Sequence, residues 1–250
     1  YDMSASLVGS EMCIRDRLRP VARDQGPDVV LNPQQMNILI PTVSPESVEA
    51  LVFDLGGVLL DVQLQRTLRA FEALDIRGLG AAEVIDGNRA CFRDLELGLI
   101  TQEEFAEAVR RTFPAVAAIP DEQLLEAWNA MLMPFDVQRV ELLRELGKRC
   151  PVYLLSNTNL PHRIRFRELF RERFGGSFDE LFVRCFYSDE LHLRKPDPEI
   201  YRSVARQIGT PPGKLLFIDD NAANVSAARG EGWQACHLTG GITVTDLFEL

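Results

Sequence analysis

The sequence predicts an α/β protein: a three-layer core on a parallel sheet, with a small α-helical block inserted after the first strand. Three observations carry this. Short apolar runs that end in polar residues recur in the second half, and helix-period segments follow them. One such run, Ala50 to Phe53, stands far ahead of the others. Between it and the rest the pattern is helical, which reads as an insert.

The first 45 residues are irregular, with Pro20, Pro27, Pro33, Pro41 and Pro45 breaking any periodicity. Ser6 to Arg17, SLVGSEMCIRDR, resembles translated sequencing-adapter read-through. On that reading it is not native protein and Met36 is the start; a disordered tail is the alternative. Ala50 to Phe53 is a buried strand, and Asp54 with Gly56-Gly57 follows at its carboxyl end. Leu64, Leu68, Phe71 and Leu74 then recur at helical spacing. Thr101 and Glu104 form a capping box ahead of Phe105, Val109 and Phe113. Asp121 opens a helix that buries Leu124, Leu125, Trp128 and Leu132. Val137, Val140, Leu143 and Leu146 mark a helix that stops at Gly147 and returns to the core. This divides the chain into a core, residues 46–65 and 136–250, and a helical insert, residues 66–135.

The second half alternates. Val152 to Ser156, Val183 to Tyr187, Leu215 to Asp219 and Ala235 to Leu238 read as strands. Phe166, Leu169, Phe170 and Phe174 mark one helix; Pro198 opens another, which ends at Gly209. A third runs from about Asn221 to Arg229. The arginines at 163, 165, 167, 171 and 173 interleave with Glu168 and Glu172, as on a solvated helix face.

Composition bounds the function. A net charge of −10 argues against a nucleic-acid binder, and no apolar run reaches a membrane span. Five scattered cysteines without a C-x-x-C pair read as reduced thiols of a cytoplasmic protein. His162, His192 and His237 show no metal-ligand spacing.

Four pieces belong together. Asp54, Ser156 and Asp219 each close a buried strand, and parallel strands put those ends on one edge. Lys195, in RKPDP, lies in the loop that crosses the same edge. Phosphoryl transfer needs such parts: a carboxylate to attack phosphorus, then donors and cations for the oxygens. Ser156 offers a hydroxyl and Lys195 a fixed charge. Crowded carboxylates call for a cation, and Mg²⁺ suits oxygen ligands with a phosphate partner. Asp54 and Asp220 are its expected direct ligands. Asp219 acts directly or through water, and the Gly56 carbonyl fills one position.

FDLGGVLLD, LLSNTN, RKPDP and FIDDN, in this order, resemble the four motifs of the haloacid dehalogenase-like (HAD) hydrolase superfamily. The resemblance covers about Ala50 to Leu238. It implies a Rossmann-like core with the insert as a cap that closes over the site and selects substrate. It makes Asp54 the nucleophile, Ser156 and Asn157 phosphate binders, Lys195 the third-motif lysine, and Asp219 and Asp220 the metal acids. The chain is most similar to the bacterial subgroup that includes α-D-glucose-1-phosphate phosphatase.

Two departures stand out. Most phosphatases of the superfamily carry an acid/base Asp two residues after the nucleophile, where this chain has Gly56. Asp61, the nearest other acid, reads as a structural cap. His192-Leu193 precedes Arg194-Lys195 where relatives often have glycine. The leading expectation is a Mg²⁺-dependent phosphatase acting on a small phosphorylated metabolite, such as a sugar phosphate, through an aspartyl-phosphate. A 2-haloacid dehalogenase and a weakly active or non-catalytic HAD-fold protein are the alternatives. Arg93, Asp94 and Glu96 are expected in a loop-like stretch, for which surface distant from the core is the leading reading and a position facing the site the alternative.

Overall fold

A computed structural model describes residues 37–40, 43, 47–84 and 89–249, within one compact unit, Leu31–Leu250. The run Ser6 to Arg17, Met36 and most of the expected irregular tail lie outside the described residues. The described part of that tail corrects the expected boundary. A short strand, β1 (Asn37–Ile38), pairs antiparallel with β7 (Phe248–Glu249). Ile38, Ile40 and Val43 are buried in the main core, so the core begins before residue 46.

The central sheet has five parallel strands: β2 (Ala50–Phe53), β3 (Val152–Ser156), β4 (Arg184–Tyr187), β5 (Leu215–Asp219) and β6 (Gln234–His237). Their order is β4-β3-β2-β5-β6. β2 is central, with the next strand on one side and β5 on the other. The order therefore reverses at β2, and a crevice opens at its carboxyl end. Register sets Phe53 level with Leu154 and with Ile218, so Asp54 and Asp219 leave the sheet side by side.

Strand residues alternate between two apolar layers, as a period of two requires. Leu51, Phe53, Leu216 and Ile218 face one, covered by α6 (Val137–Leu146) and α7 (Leu160–Phe174). Ala50, Val52, Leu215 and Phe217 face the other, covered by α9 (Pro198–Ile208) and α10 (Ala222–Gly230). Phe53, Phe166, Phe170, Phe178 and Phe217 are all fully buried, and each is worth roughly 1.5–3 kcal/mol of burial.

Helix ends follow the sequence signals. Asp136 caps α6 and Asn221 caps α10 through their side chains. Gly209 ends α9 with φ near 80°, a conformation only glycine adopts readily. Gly147 ends α6 without it, at φ −62°. Val183, expected in the third strand, lies just outside β4 and is exposed.

The insert holds α1 (Leu64–Ala73), α2 (Ala81–Val84), α3 (Ala90–Glu96), α4 (Gln102–Thr112) and α5 (Asp121–Asn129). It has its own core of Phe71, Phe92, Phe105 and Trp128 with their aliphatic neighbours. The Thr101–Glu104 box forms as expected, both reciprocal bonds present. Leu132 falls beyond the end of α5 and pairs antiparallel with Val62. Chain entry and exit thus run side by side: Gln63 N donates to Met131 O at 2.8 Å, and Met133 N to Asp61 O at 3.1 Å.

Arg93, Asp94 and Glu96 are in helix α3, not in a loop. The arginines of α7 also divide. Arg163 is buried and paired with Asp189 at 2.9 Å and with Glu190, while Arg165 and Arg167 pair at the surface. No helix among the described residues is long and apolar enough to cross a membrane. Cys91, Cys150, Cys185 and Cys236 are free thiols; Cys13 lies outside the described residues.

Candidate active site

Lys195 is the hub. Its side chain is 1% exposed, and its three ammonium protons are all used. Nζ lies 2.8 Å from Asp54 Oδ1, donates to Asp219 Oδ2 at 2.7 Å, and donates to Leu155 O at 3.0 Å. Such burial is tolerable only because every proton has an oxygen and two of these carry charge. Burial alone would lower the Lys195 pKa; Asp54 and Asp219 outweigh it and hold the ammonium above its ordinary range. Asn157 fixes the lysine backbone from both sides. Its Nδ2 donates to Lys195 O and its Oδ1 accepts from Lys195 N, each at 2.8 Å. Asn157, expected to bind substrate, thus also positions Lys195.

Burial pushes the Asp54 carboxyl up to about 7; Lys195 opposes the shift and Asp219 adds to it. Asp220 is also raised, by burial first and then by Asp219. Carboxylate oxygens of Asp54, Asp219 and Asp220 lie within 4.8 Å of one another. An all-oxygen set with three negative charges fits a hard divalent cation such as Mg²⁺. Asp219 is already saturated. Oδ1 accepts from Asn221 N and Asn224 Nδ2, and Oδ2 from Lys195 Nζ and Asn224 Nδ2. Those four contacts match the roughly four lone-pair directions of a carboxylate. Asp54 and Asp220 keep oxygens to spare.

Gly57 makes this approach possible. At φ +72° it carries no Cβ, and one built there would overlap Asp220 Oδ2. Gly56 is different: a Cβ there would meet Val62 Cγ2 at 3.3 Å, a contact that a small shift relieves. Asp61 is neither a helix cap nor a neighbour of the site. It is exposed and pairs with Arg139 at 2.7 Å. Ser156 is 2% exposed and its hydroxyl donates to Asn157 O at 3.4 Å. Asn157 and Thr158, rather than Ser156, line the cavity above.

That cavity, about 600 Å³, lies between the sheet edge and the insert. Asp54, Gly56, Gly57, Lys195 and Asp220 line it from the core, and Val84, Glu96, Trp128, Met131 and Leu132 from the insert side. Two clamps hold the halves together. In the first, Glu96 Oε1 accepts from Arg194 Nε at 2.8 Å and Ser188 Oγ donates to Glu96 O at 2.8 Å. The His192 ring bonds Leu97 O, and Gly98, at φ +63°, lets the chain lie against Asp189. In the second, the His162 ring stacks on Trp128, centroids 4.5 Å apart. Asn159 Oδ1 accepts from Trp128 Nε1 and its Nδ2 donates to His162 Nδ1. That fixes the proton on Nε2, which faces Trp128 O at 3.4 Å. Burial holds the His162 pKa down to about 4, so the ring is neutral.

Sequence reasoning set Glu96 aside, read His162 only as a generic histidine and passed over Asn159 and Asn224. Their roles depend on partners far along the chain. Arg194, beside Lys195, was the nearest available pointer to Glu96.

A doubly wound sheet with three acids and a lysine at its switch point defines a hydrolase-type active site. The family model described as haloacid dehalogenase-like hydrolase matches residues 48–232, and the chain belongs to that family. It is 25% identical over 190 residues to D-ribitol-5-phosphate phosphatase of Bacteroides thetaiotaomicron, covering 75% of this chain and 90% of the relative. It is also 25% identical over 190 residues to N-acetylmuramic acid 6-phosphate phosphatase of Pseudomonas aeruginosa, covering 74% and 78%. A HAD-family enzyme from Bacteroides thetaiotaomicron, solved with magnesium and inorganic phosphate, superposes with a TM-score of 0.69 at 28% identity. The match covers 78% of this chain and 96% of that one.

Proposed function

We propose that the protein is a Mg²⁺-dependent phosphatase that hydrolyses a small phosphomonoester, such as a sugar phosphate, through an aspartyl-phosphate on Asp54. The observation that carries this reading is the approach of Asp54, Asp219 and Asp220 within 4.8 Å beside Lys195. A carbon-centred dehalogenation needs no such acid cluster, which is why that alternative ranks lower. Helices 66–135 act as the cap, and the rest of the described chain as the catalytic core.

Asp54 attacks phosphorus; the new bond is Asp54 O–P and the bond broken is P–O of the ester. Lys195 stabilises the charge on the phosphoryl oxygens, and the Ser156 hydroxyl turns from Asn157 O to do the same. Asp54, Asp220 and the Gly56 carbonyl would hold Mg²⁺, and Asp219, fixed by its four bonds, would add its negative charge beside them. The bound ion supplies charge neutralisation between the nucleophile and the incoming dianion. Water then attacks the acyl-phosphate, releasing inorganic phosphate and restoring the carboxylate. With glycine at 56 the leaving alkoxide takes its proton from water, so turnover favours good leaving groups. As part of the same proposal, the substrate is a small phosphorylated metabolite and the setting cytoplasmic.

The test is hydrolysis of p-nitrophenyl phosphate with Mg²⁺. Turnover lost in EDTA and in Asp54→Asn supports the reading. Halide release from 2-chloropropionate, indifferent to EDTA, overturns it in favour of dehalogenation. Phosphate binding without turnover in either assay overturns it in favour of a non-catalytic role.

A further inference from the structure

Resting on the phosphatase reading, we infer that Glu96, paired with Arg194, makes the site selective for esters with one phosphate and an uncharged, hydroxyl-bearing body.

The inference starts from a charge inventory of the cavity. Among the described residues that line it, the cations are Lys195 and Arg194. Lys195 is committed to Asp54, Asp219 and Leu155 O. Arg194 is committed to Glu96 at 2.8 Å, with both side chains partly shielded, 24% and 17% exposed. His162 is neutral in its clamp with Trp128 and Asn159. A substrate with a second anionic group therefore finds no uncommitted positive partner away from the reaction centre. It meets the Glu96 carboxylate instead.

Repulsion of this kind is how sites reject near-isosteric competitors. Hydroxyls fare differently. A hydroxyl can donate a hydrogen bond to the Glu96 carboxylate, which an ionised second acid cannot do. Val62 and Leu132, paired across the insert junction, give the cavity an apolar wall suited to C–H faces. The position of the pair matters too. Glu96 comes from the insert and Arg194 directly precedes Lys195, so the pair spans the cavity from one half to the other.

The test uses two esters with one skeleton. Glycerol 3-phosphate ends in a hydroxymethyl group where 3-phosphoglycerate ends in a carboxylate. With Mg²⁺, wild type is expected to favour glycerol 3-phosphate by at least about tenfold in kcat/KM, the scale of one like-charge contact. Glu96→Gln keeps the size and a bond to Arg194 but removes the charge, and it should cut that preference to within about threefold. Burial raises the Glu96 pKa and Arg194 opposes that shift, so Arg194→Met favours the uncharged acid and should narrow the preference as well. A purely structural clamp would lower both esters together. An unchanged ratio in Glu96→Gln and Arg194→Met, or no preference in wild type, overturns the inference. Failure of the phosphatase reading looks different: neither ester is hydrolysed in a Mg²⁺- and Asp54-dependent way.

Discussion

Lys195 Nζ sits 2.8 Å from Asp54 Oδ1, and the same nitrogen reaches Asp219 at 2.7 Å. One buried cation thus holds two carboxylates that would otherwise repel. Lys195→Met removes it and leaves both acids facing each other without compensation. Urea unfolding should register a loss of about 3–5 kcal/mol, the usual cost of breaking a buried ion pair. The double variant Lys195→Met, Asp219→Asn should recover part of it, because one stranded charge is gone.

Gly57 and Gly56 are adjacent and should respond oppositely to a methyl group. Gly57→Ala drives a Cβ into Asp220 Oδ2 at a backbone angle that disfavours any side chain. Displacing Asp220 should weaken Mg²⁺ binding at least about tenfold, on the scale of disturbing the support of a metal ligand. Gly56→Ala meets Val62 at 3.3 Å and should change Mg²⁺ affinity little. Calorimetric titration of the two variants checks the contrast.

Gly56→Asp should restore a proton donor where this chain has none. The new Cβ needs only a small movement of Val62. Hydrolysis of alkyl phosphates, with poor leaving groups, should rise by about 10²-fold, the low end for general acid catalysis. Hydrolysis of p-nitrophenyl phosphate, whose leaving group needs no proton, should change much less. Equal effects on both would place the missing acid elsewhere.

His162 titrates with a defined sign. Its folded pKa is about 4, below the unfolded value near 6.5, because burial disfavours the charged ring. The unfolded chain therefore binds the extra proton first as pH falls. The stability is fully present above about 6.5 and is lost on the way down to about 4, a span of about 3 kcal/mol. The difference in thermal stability between wild type and His162→Gln, followed from pH 7 to 4.5, isolates this contribution. Asp54, raised by burial, titrates in both proteins and cancels.

The sheet was legible because its three inner strands, β3, β2 and β5, are buried almost throughout and read as apolar runs. Leu215 to Asp219 is the clearest, buried along its whole length. The reaction centre was legible for a related reason: Asp54 and Asp219 end their strands, and parallel topology then brings them together. The hold of Asn157 on Lys195 was not legible because its two bonds go to a backbone 38 positions away, which leaves no local pattern. Glu96 was misjudged because its short helix, seven residues, is too brief to show periodicity. β1 was missed because a two-residue strand is specified by its partner at the far end of the chain.

The most direct measurement is rapid acid quench of the enzyme turning over p-nitrophenyl phosphate with Mg²⁺, followed by mass analysis of the peptide that contains Asp54. One added phosphoryl group on that peptide, absent with EDTA and absent in Asp54→Asn, is the expected result. Steady turnover with the peptide unmodified at every quench time, or turnover that survives in Asp54→Asn, would contradict it.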